Sequence, residues 1–497
     1  MTFIHTPPRI CKTLTLIAVS LCLILIFTSC SIASERSADP LPKMPQAADY
    51  GGVTRKYQYT LKDGTTEVAE RKLEGEESQI RSKFFQMPSG DYVFAGSLTL
   101  QDGVEMPILR LDCSEIRMHW SDRTAWNSSD SDDPEGSYQA GCFFVDTEDT
   151  HLLIYMPQCF EHIEQGCIRH LPEKDGRMDV TRTENGAYHL ELYALGGGSD
   201  TTSDFFLICS KEPILDWTDE QALSFWLPYT NTGDGRFLYD GYYWISSTLN
   251  EVSGENVYAN NVACYFGKSF VYGAPFYDAM KAGALFMIDA MLENQTEEGY
   301  WPSNVVSSWL SEDYGIDGSY YDTRFNSDFV KILMHSYSDW EIAELKDVIL
   351  DYFAFYTGFT EGYGWELAGG LAVPDYYYPG MTTPHMALNH QLAEIDVLYE
   401  AADLFGREDL RELGDRLLTA IEGSASMWIK PDNDLHYSIH PDGELGGQDY
   451  PYLTYNDLYV MQEDLRAMGR PDSEALQMLM DHKKLWMDRN GITGYRK

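Results

Sequence analysis

Two periods divide the chain. Between residues 50 and 210 apolar positions alternate with polar ones or form short apolar runs, as in VTRKYQYT at 53–60, YVFAGSLTL at 92–100, MPILRL at 106–111, HLLIYM at 151–156, AYHLELYAL at 187–195 and DFFLICS at 204–210. Clusters of Gly, Asp and Asn separate them, which is the signature of strands joined by turns. No helical period intrudes, so a β-sandwich-like or barrel-like domain is expected over 50–210. A connecting segment over 211–270 follows, with a short helix expected after Asp216 in DWTDEQALSFWL and Gly/Tyr-rich loops behind it. From residue 271 onward the period changes to three and four. Leu388, Leu392, Ile395, Leu398, Ala402 and Phe405 trace one helix face, Gly406 ends it, and Leu410, Leu413, Leu417 and Ile421 repeat it. Other helices are expected near 276–293, 326–337, 340–357, 455–468 and 473–488. Paired amphipathic helices joined by short turns predict an incomplete α/α toroid over 271–497. Aromatic loops such as GYGWELAGGLAVPDYYYPG would ring one mouth of it.

The whole is a multidomain β + α chain of 497 residues, longer than one ordinary core requires. Its first 29 residues read as an export signal, with Arg9 and Lys12 ahead of a weakly polar run from Leu14 to Phe27. Phe27-Thr28-Ser29-Cys30 resembles a bacterial lipobox, which implies a lipid on Cys30 and a membrane anchor; plain cleavage near Ala33 is the alternative. Residues 30–49 carry three prolines and read as a tether.

The net charge of −42, from 78 acids and 36 bases, disfavours nucleic acid and anionic lipid as partners. Five cysteines (Cys113, Cys142, Cys159, Cys167 and Cys209) fall in the β-rich part, and Cys264 stands apart. Export permits a Cys159–Cys167 bridge, and buried free thiols are the other outcome. No C-x-x-C motif occurs, so no metal or redox role is assigned to them. Asp130, Asp132 and Asp133 lie in a polar loop whose spacing lacks a complete calcium ligand set.

Three tyrosines in the last third carry the chemistry. Tyr378 lies in PDYYYPGMTTPHMALNHQLAEIDVLYEAADLFG (374–406), Tyr437 in LHYSIHPDG, and Tyr450 in QDYPYLTYNDL. A Tyr-Pro step, then Thr-Pro, then Leu388-Asn389 opening a helix that ends beyond a Leu-Tyr pair resembles the D-glucuronyl C5-epimerases. The later tyrosine before a Gly-containing loop, followed by Asp-Tyr, extends the likeness. It is specific from Pro374 to Leu458. The resemblance implies that Tyr378, Tyr437 and Tyr450 are catalytic, that Asn389 lines the groove, and that the partner is a uronic-acid-containing glycan. It also implies no organic cofactor and no metal. Removing the C5 proton of a uronate needs a base on one face, a donor on the other and stabilisation at the carboxylate, and phenols can fill the first two roles. A phenol used as base needs a nearby positive charge, because its reference pKa is about 10.

The chain departs from the family at three places. Tyr376 and Tyr377 stand where acidic residues are expected, Gly380-Met381 are inserted before Thr-Pro, and His440 replaces an arginine. Arg324, in SYYDTRFNSDF, is the substitute cation, although this stretch also reads as a helix cap. Glu366, after Trp365, is a candidate acid or base or a structural carboxylate. Tyr376 or Tyr377 can take the place of Tyr378. Two other readings stay open. One is a lyase or hydrolase, for which Glu366 with Asp375 or Asp449 would be the carboxylate pair. The other is a non-catalytic surface glycan-binding protein.

Overall fold

The computed structural model describes residues 51–496, apart from 76–77, 122–124, 129–133, 140, 164–165, 229–234, 245–255, 264, 276 and 306. The expected signal, tether, Cys30 and most of the Asp130–Asp133 loop lie outside the described residues, as does Cys264.

A large antiparallel sheet organises the first half. Its main path runs from Gly52–Leu61 through Gly64–Glu74, Gln79–Gln86, Tyr92–Thr99, Thr201–Ser210, His151–Ile163 and Cys167–His170 to Val257–Asn260, Gly241–Trp244 and Gly235–Leu238. A second sheet, ordered Glu105–Cys113, Tyr188–Leu195, Arg177–Arg182 and Gly136–Gln139, covers one of its faces. Strand Thr201–Ser210 explains why DFFLICS is apolar throughout. Phe205, Leu207 and Cys209 face the smaller sheet, while Phe206 and Ile208 face the helices. Alternate side chains of one strand therefore feed two cores. Cys113, Cys142, Cys159, Cys167 and Cys209 are free, buried thiols.

The segment 211–270 does more than connect. Helix α1 (Glu220–Trp226) starts where Asp219 accepts from the amides of Gln221 and Ala222. Three four-residue strands then return to the edge of the large sheet.

The helical half contains α2 (Tyr265–Gly273), α3 (Asp278–Leu292), α4 (Ser308–Tyr314), α5 (Thr323–Trp340), α6 (Leu345–Tyr363), α7 (Leu388–Phe405), α8 (Glu408–Ser424), α9 (Leu453–Ala467) and α10 (Glu474–Arg489). α7 packs between α5 and α9, while α6, α8 and α10 pack on α5, α7 and α9 from outside. This inner row with an outer row resembles part of an α/α toroid. α7 ends as its sequence requires, with Gly406 at φ 66° donating to the Ala402 carbonyl.

α3 joins the halves. Residues Ala279 to Met291 are all buried, and Met280, Ala284 and Met287 share a core with Val68, Phe85, Val93 and Phe206 of the sheet. A polar cluster crosses the same boundary. Asp289 receives the hydroxyls of Tyr57 and Tyr59 at 2.7 Å each and the Lys83 ammonium at 2.8 Å. A buried lysine is tolerated there because every charge has a partner.

Candidate functional site

The beginnings of α5, α7 and α9 meet at one mouth, and Arg324 shows it directly. From the first turn of α5 its guanidinium donates to the Asn389 carbonyl on α7 at 3.0 Å and to Asp457 on α9 at 2.7 Å. Asp322 caps α5 by accepting from the Phe325 amide at 2.9 Å, the capping role that the sequence around Arg324 suggested. Short strands lie ahead of these helices. Tyr320–Asp322 pairs with Tyr376–Tyr377, and Met386–Ala387 pairs with His436–Ile439, which pairs with Leu445–Gln448. The strand pairing brings the 374–390 and 434–450 segments together although some 50 residues separate them.

Tyr437 and Tyr450 come together, with ring centroids 5.8 Å apart and planes at 74°. Tyr450 is 43 % exposed and forms the rim, whereas Tyr437 is half-buried beneath it. Tyr378 does not join their ring contact. It packs with Met381 and Trp309 against Leu310, Tyr314 and Tyr376. Tyr376 touches both, since Tyr378 packs against its cluster and Tyr376 hydrogen-bonds Tyr437. Tyr377 points the other way, towards Tyr300, Phe355, Phe359 and Tyr363.

Histidines and carboxylates form the floor. The His385 ring lies 5.6 Å from Tyr437 and 5.5 Å from His440. Its Nδ1 meets the Tyr314 hydroxyl at 2.5 Å, and its Nε2 lies 3.3 Å from Asp375 Oδ2. Asp375 is fully buried, and its other oxygen accepts from the Ala387 amide at 2.7 Å. His390 meets Thr323 at 2.9 Å. Asn389 is buried with its side-chain oxygen unpartnered.

Burial raises Tyr437 well above the ordinary phenol range, with Asp375, Tyr450 and Asp322 adding to it. Tyr450 is raised by burial and by Asp322, while Arg324 works against the rise. Both phenols are therefore proton donors at neutral pH. Burial likewise pushes Asp322 and Glu394 up to about 8 each. It pushes His390 down to about 4, so that ring is neutral.

These shifts set a pH dependence of stability. Asp322 and Glu394 bind protons more tightly folded than unfolded, so their contribution is full below the unfolded carboxyl range and is lost as pH rises towards 8. His390 acts at the other end, where stability falls as pH drops from about 6.5 towards 4. Glu394→Gln keeps an acceptor for the Tyr356 hydroxyl that Glu394 now receives. The variant is expected to gain roughly 1–3 kcal/mol over the parent at pH 8 and little at pH 5. Urea unfolding at both values measures this, and equal slopes for parent and variant would refute it.

The other candidates are placed as follows. Arg324 is shared by Asp457 and Asp328, the latter at 3.6 Å. Glu366 is exposed on a hairpin, Trp365–Leu367 with Gly370–Ala372, that packs on α8. Asp449 is buried against Lys483 at 2.7 Å, with Thr454 donating to it at 2.5 Å. His440 is half-buried in a turn closed by Gly443. His436 is held below the usual imidazole range by burial and by Lys430. Lys430 donates to the Gly447 carbonyl at 3.0 Å. Among the described residues no group of His, Cys, Asp and Glu is arranged to hold a metal ion.

Sequence reasoning missed Tyr314 and the joining of His385 and Asp375 into this floor, having offered Asp375 only as one carboxylate of a hydrolase pair. Asp375 and His385 stand inside the Tyr378 motif, so proximity in sequence was the available signal. Tyr314 closes α4, outside every motif, and carried none.

No family model matches the chain, and no curated protein does. Among solved structures, a cellobiose 2-epimerase from Bacillus thermoamylovorans B4167 superposes with a TM-score of 0.36 at 13% identity over 46% of this chain. The chain spans 59% of that enzyme's length. A family 76 glycoside hydrolase from a bovine Bacteroides thetaiotaomicron strain gives 0.34 at 9% identity, covering 79% of this chain and 75% of the other. An unsaturated glucuronyl hydrolase from Bacillus sp. GL1 gives 0.31 at 11% identity, covering 45% and 60%. Superpositions this loose decide neither fold nor chemistry, and both rest on the chain's own residues.

Proposed function

We propose that this protein acts on a carbohydrate by moving a proton on a sugar carbon, and that the reaction is C5 epimerisation of D-glucuronyl residues in a polysaccharide. The observation that carries the reading is the Tyr437–Tyr450 pair, two phenols in ring contact at a helix-lined mouth. Both are held protonated, which suits them to return a proton and to donate to the charge that develops on the uronate.

The carboxylate of such a substrate would meet Arg324 and His440. Because Arg324 is already shared with Asp457 and Asp328, a short or weakly charged glycan suits the mouth better than a dense polyanion. The chain as a whole, at −42, argues the same way.

The test is incubation of a D-glucuronate-containing polysaccharide with the protein in heavy water. Epimerisation places deuterium at C5 and inverts it. An unsaturated, ultraviolet-absorbing product would identify a lyase instead. New reducing ends without label would identify a hydrolase, a reading favoured by one observation, Asp322 raised to about 8 by burial with Asp375 beside it. Binding without any of these would leave a glycan-binding protein.

Export and lipid anchoring belong to the same proposal, since a polysaccharide is met outside the cell. Labelling with a lipid precursor is expected to mark Cys30, and Cys30→Ala is expected to release the protein from membranes. A mature N-terminus beyond Cys30 would exclude the anchor.

A further inference from the structure

Two protonated phenols leave the site without a base, and the floor beneath them holds an arrangement that can supply one. Tyr314, His385 and Asp375 stand in the order phenol, imidazole, carboxylate. The Tyr314 hydroxyl is 2.5 Å from His385 Nδ1, and His385 Nε2 is 3.3 Å from Asp375 Oδ2. That second contact is not a hydrogen bond, and among the described residues neither buried atom makes one, although Asp375 Oδ2 also lies 3.6 Å from His390 Nδ1. Asp375 is acceptor-only when ionised, so it favours a proton on Nε2 and leaves Nδ1 to accept from Tyr314.

The backbone holds the set firmly. The Asp375 amide donates to the His385 carbonyl at 2.9 Å, and Ala387 pins the free carboxylate oxygen. Tyr314 is buried, with its ring 6.5 Å from half-buried His440 and in one cluster with half-buried Tyr378. A group activated by a base that a third group orients is the general logic of nucleophile and base activation.

We propose that Tyr314 is the proton acceptor of this site, with His385 and Asp375 as the residues that activate and position it. This rests on the proton-transfer reading above. The substrate C–H bond breaks as the Tyr314 oxygen takes the proton. In the same step the phenol's own proton passes to His385 Nδ1, giving an imidazolium beside the Asp375 carboxylate. The electron pair of the C–H bond stays on the substrate, delocalised into its carboxylate. Tyr450, with Tyr437 behind it, returns a proton and regains one from water, and His385 returns its proton to Tyr314 as Tyr314 releases the substrate-derived proton to the hydroxide that this water leaves. Because phenol and imidazole transfer together, no free phenolate has to exist at neutral pH.

The experiment measures deuterium incorporation at C5 of a D-glucuronate-containing polysaccharide for the parent, Tyr314→Phe, His385→Gln and Asp375→Asn. Tyr314→Phe and His385→Gln are expected to slow it by roughly 10²–10⁴-fold, and Asp375→Asn to slow kcat more than it changes KM. In parallel, ¹⁵N NMR of the parent should show His385 with its proton on Nε2 and an accepting Nδ1 whose shift moves in Tyr314→Phe. Label in the parent with an undiminished rate in Tyr314→Phe overturns the inference and leaves the epimerase reading standing. No label in the parent overturns both. If Tyr314→Phe does not fold, a His385 proton found on Nδ1 in the parent overturns the relay by itself.

Discussion

Tyr450→Phe is expected to lower net C5 inversion by roughly 10²–10⁴-fold, the usual worth of one positioned proton donor. The fold should not notice. Tyr450 is 43 % exposed, and its hydroxyl holds no partner among the described residues. Tyr437→Phe is expected to be equally damaging to inversion. It loses only the contact with Tyr376, which already stays protonated because burial raises it well above the phenol range. Tyr378→Phe should matter least of the three, since the Tyr378 ring is seated in the Leu310–Tyr314–Tyr376 cluster, outside the pair's ring contact. Rates from deuterium incorporation, compared with denaturation midpoints, separate chemistry from stability. A Tyr450→Phe protein that inverts at the parent rate would remove the pair from the mechanism.

The order of these effects differs from what motif position implies, and the reason is strand geometry. Tyr376, Tyr377 and Tyr378 are equivalent in sequence, but a β-strand sends neighbours to opposite faces. Pairing with Tyr320–Asp322 then sends Tyr376 towards His385 and Tyr437 and Tyr377 towards Phe355 and Phe359. Three consecutive aromatics show no alternation, so no period was there to read.

The helices were more legible. Leu388–Phe405 and Glu408–Ser424 follow the spacing of Leu388 to Phe405 and Leu410 to Ile421, and Gly406 separates them as expected. The return of 235–260 to the large sheet was not legible, because strands of four residues are too short to carry a period. Arg324 was legible as a cation near the site but not as a shared one. Asp457, which engages it, lies 133 residues away on α9.

Lys483→Met is expected to cost about 3–5 kcal/mol, the effect of leaving buried charges without their counter-ion. Lys483 is fully buried on α10, 2.6 Å from Asp434 and 2.7 Å from Asp449. It occupies the apolar phase of that helix, with Leu476, Leu479, Met480 and Met487 as the other buried positions. A charge at such a phase has to be partnered, and the partners here flank the two site tyrosines. Asp434 lies three residues before Tyr437, and Asp449 immediately precedes Tyr450. One ammonium therefore fixes both loops to the same helix. Lys484, its neighbour, pairs with exposed Asp488 and the Tyr495 hydroxyl at the surface, and Lys484→Met should cost far less than Lys483→Met. Combining Lys483→Met with Asp434→Asn and Asp449→Asn removes the stranded charges and is expected to recover much of the stability. Inversion need not return with it, because the tether between the two loops is gone. Urea unfolding of the four proteins measures the first effect. A loss under about 1 kcal/mol for Lys483→Met would mean that the two aspartates find water or protons instead, and that the clamp does not set the loops.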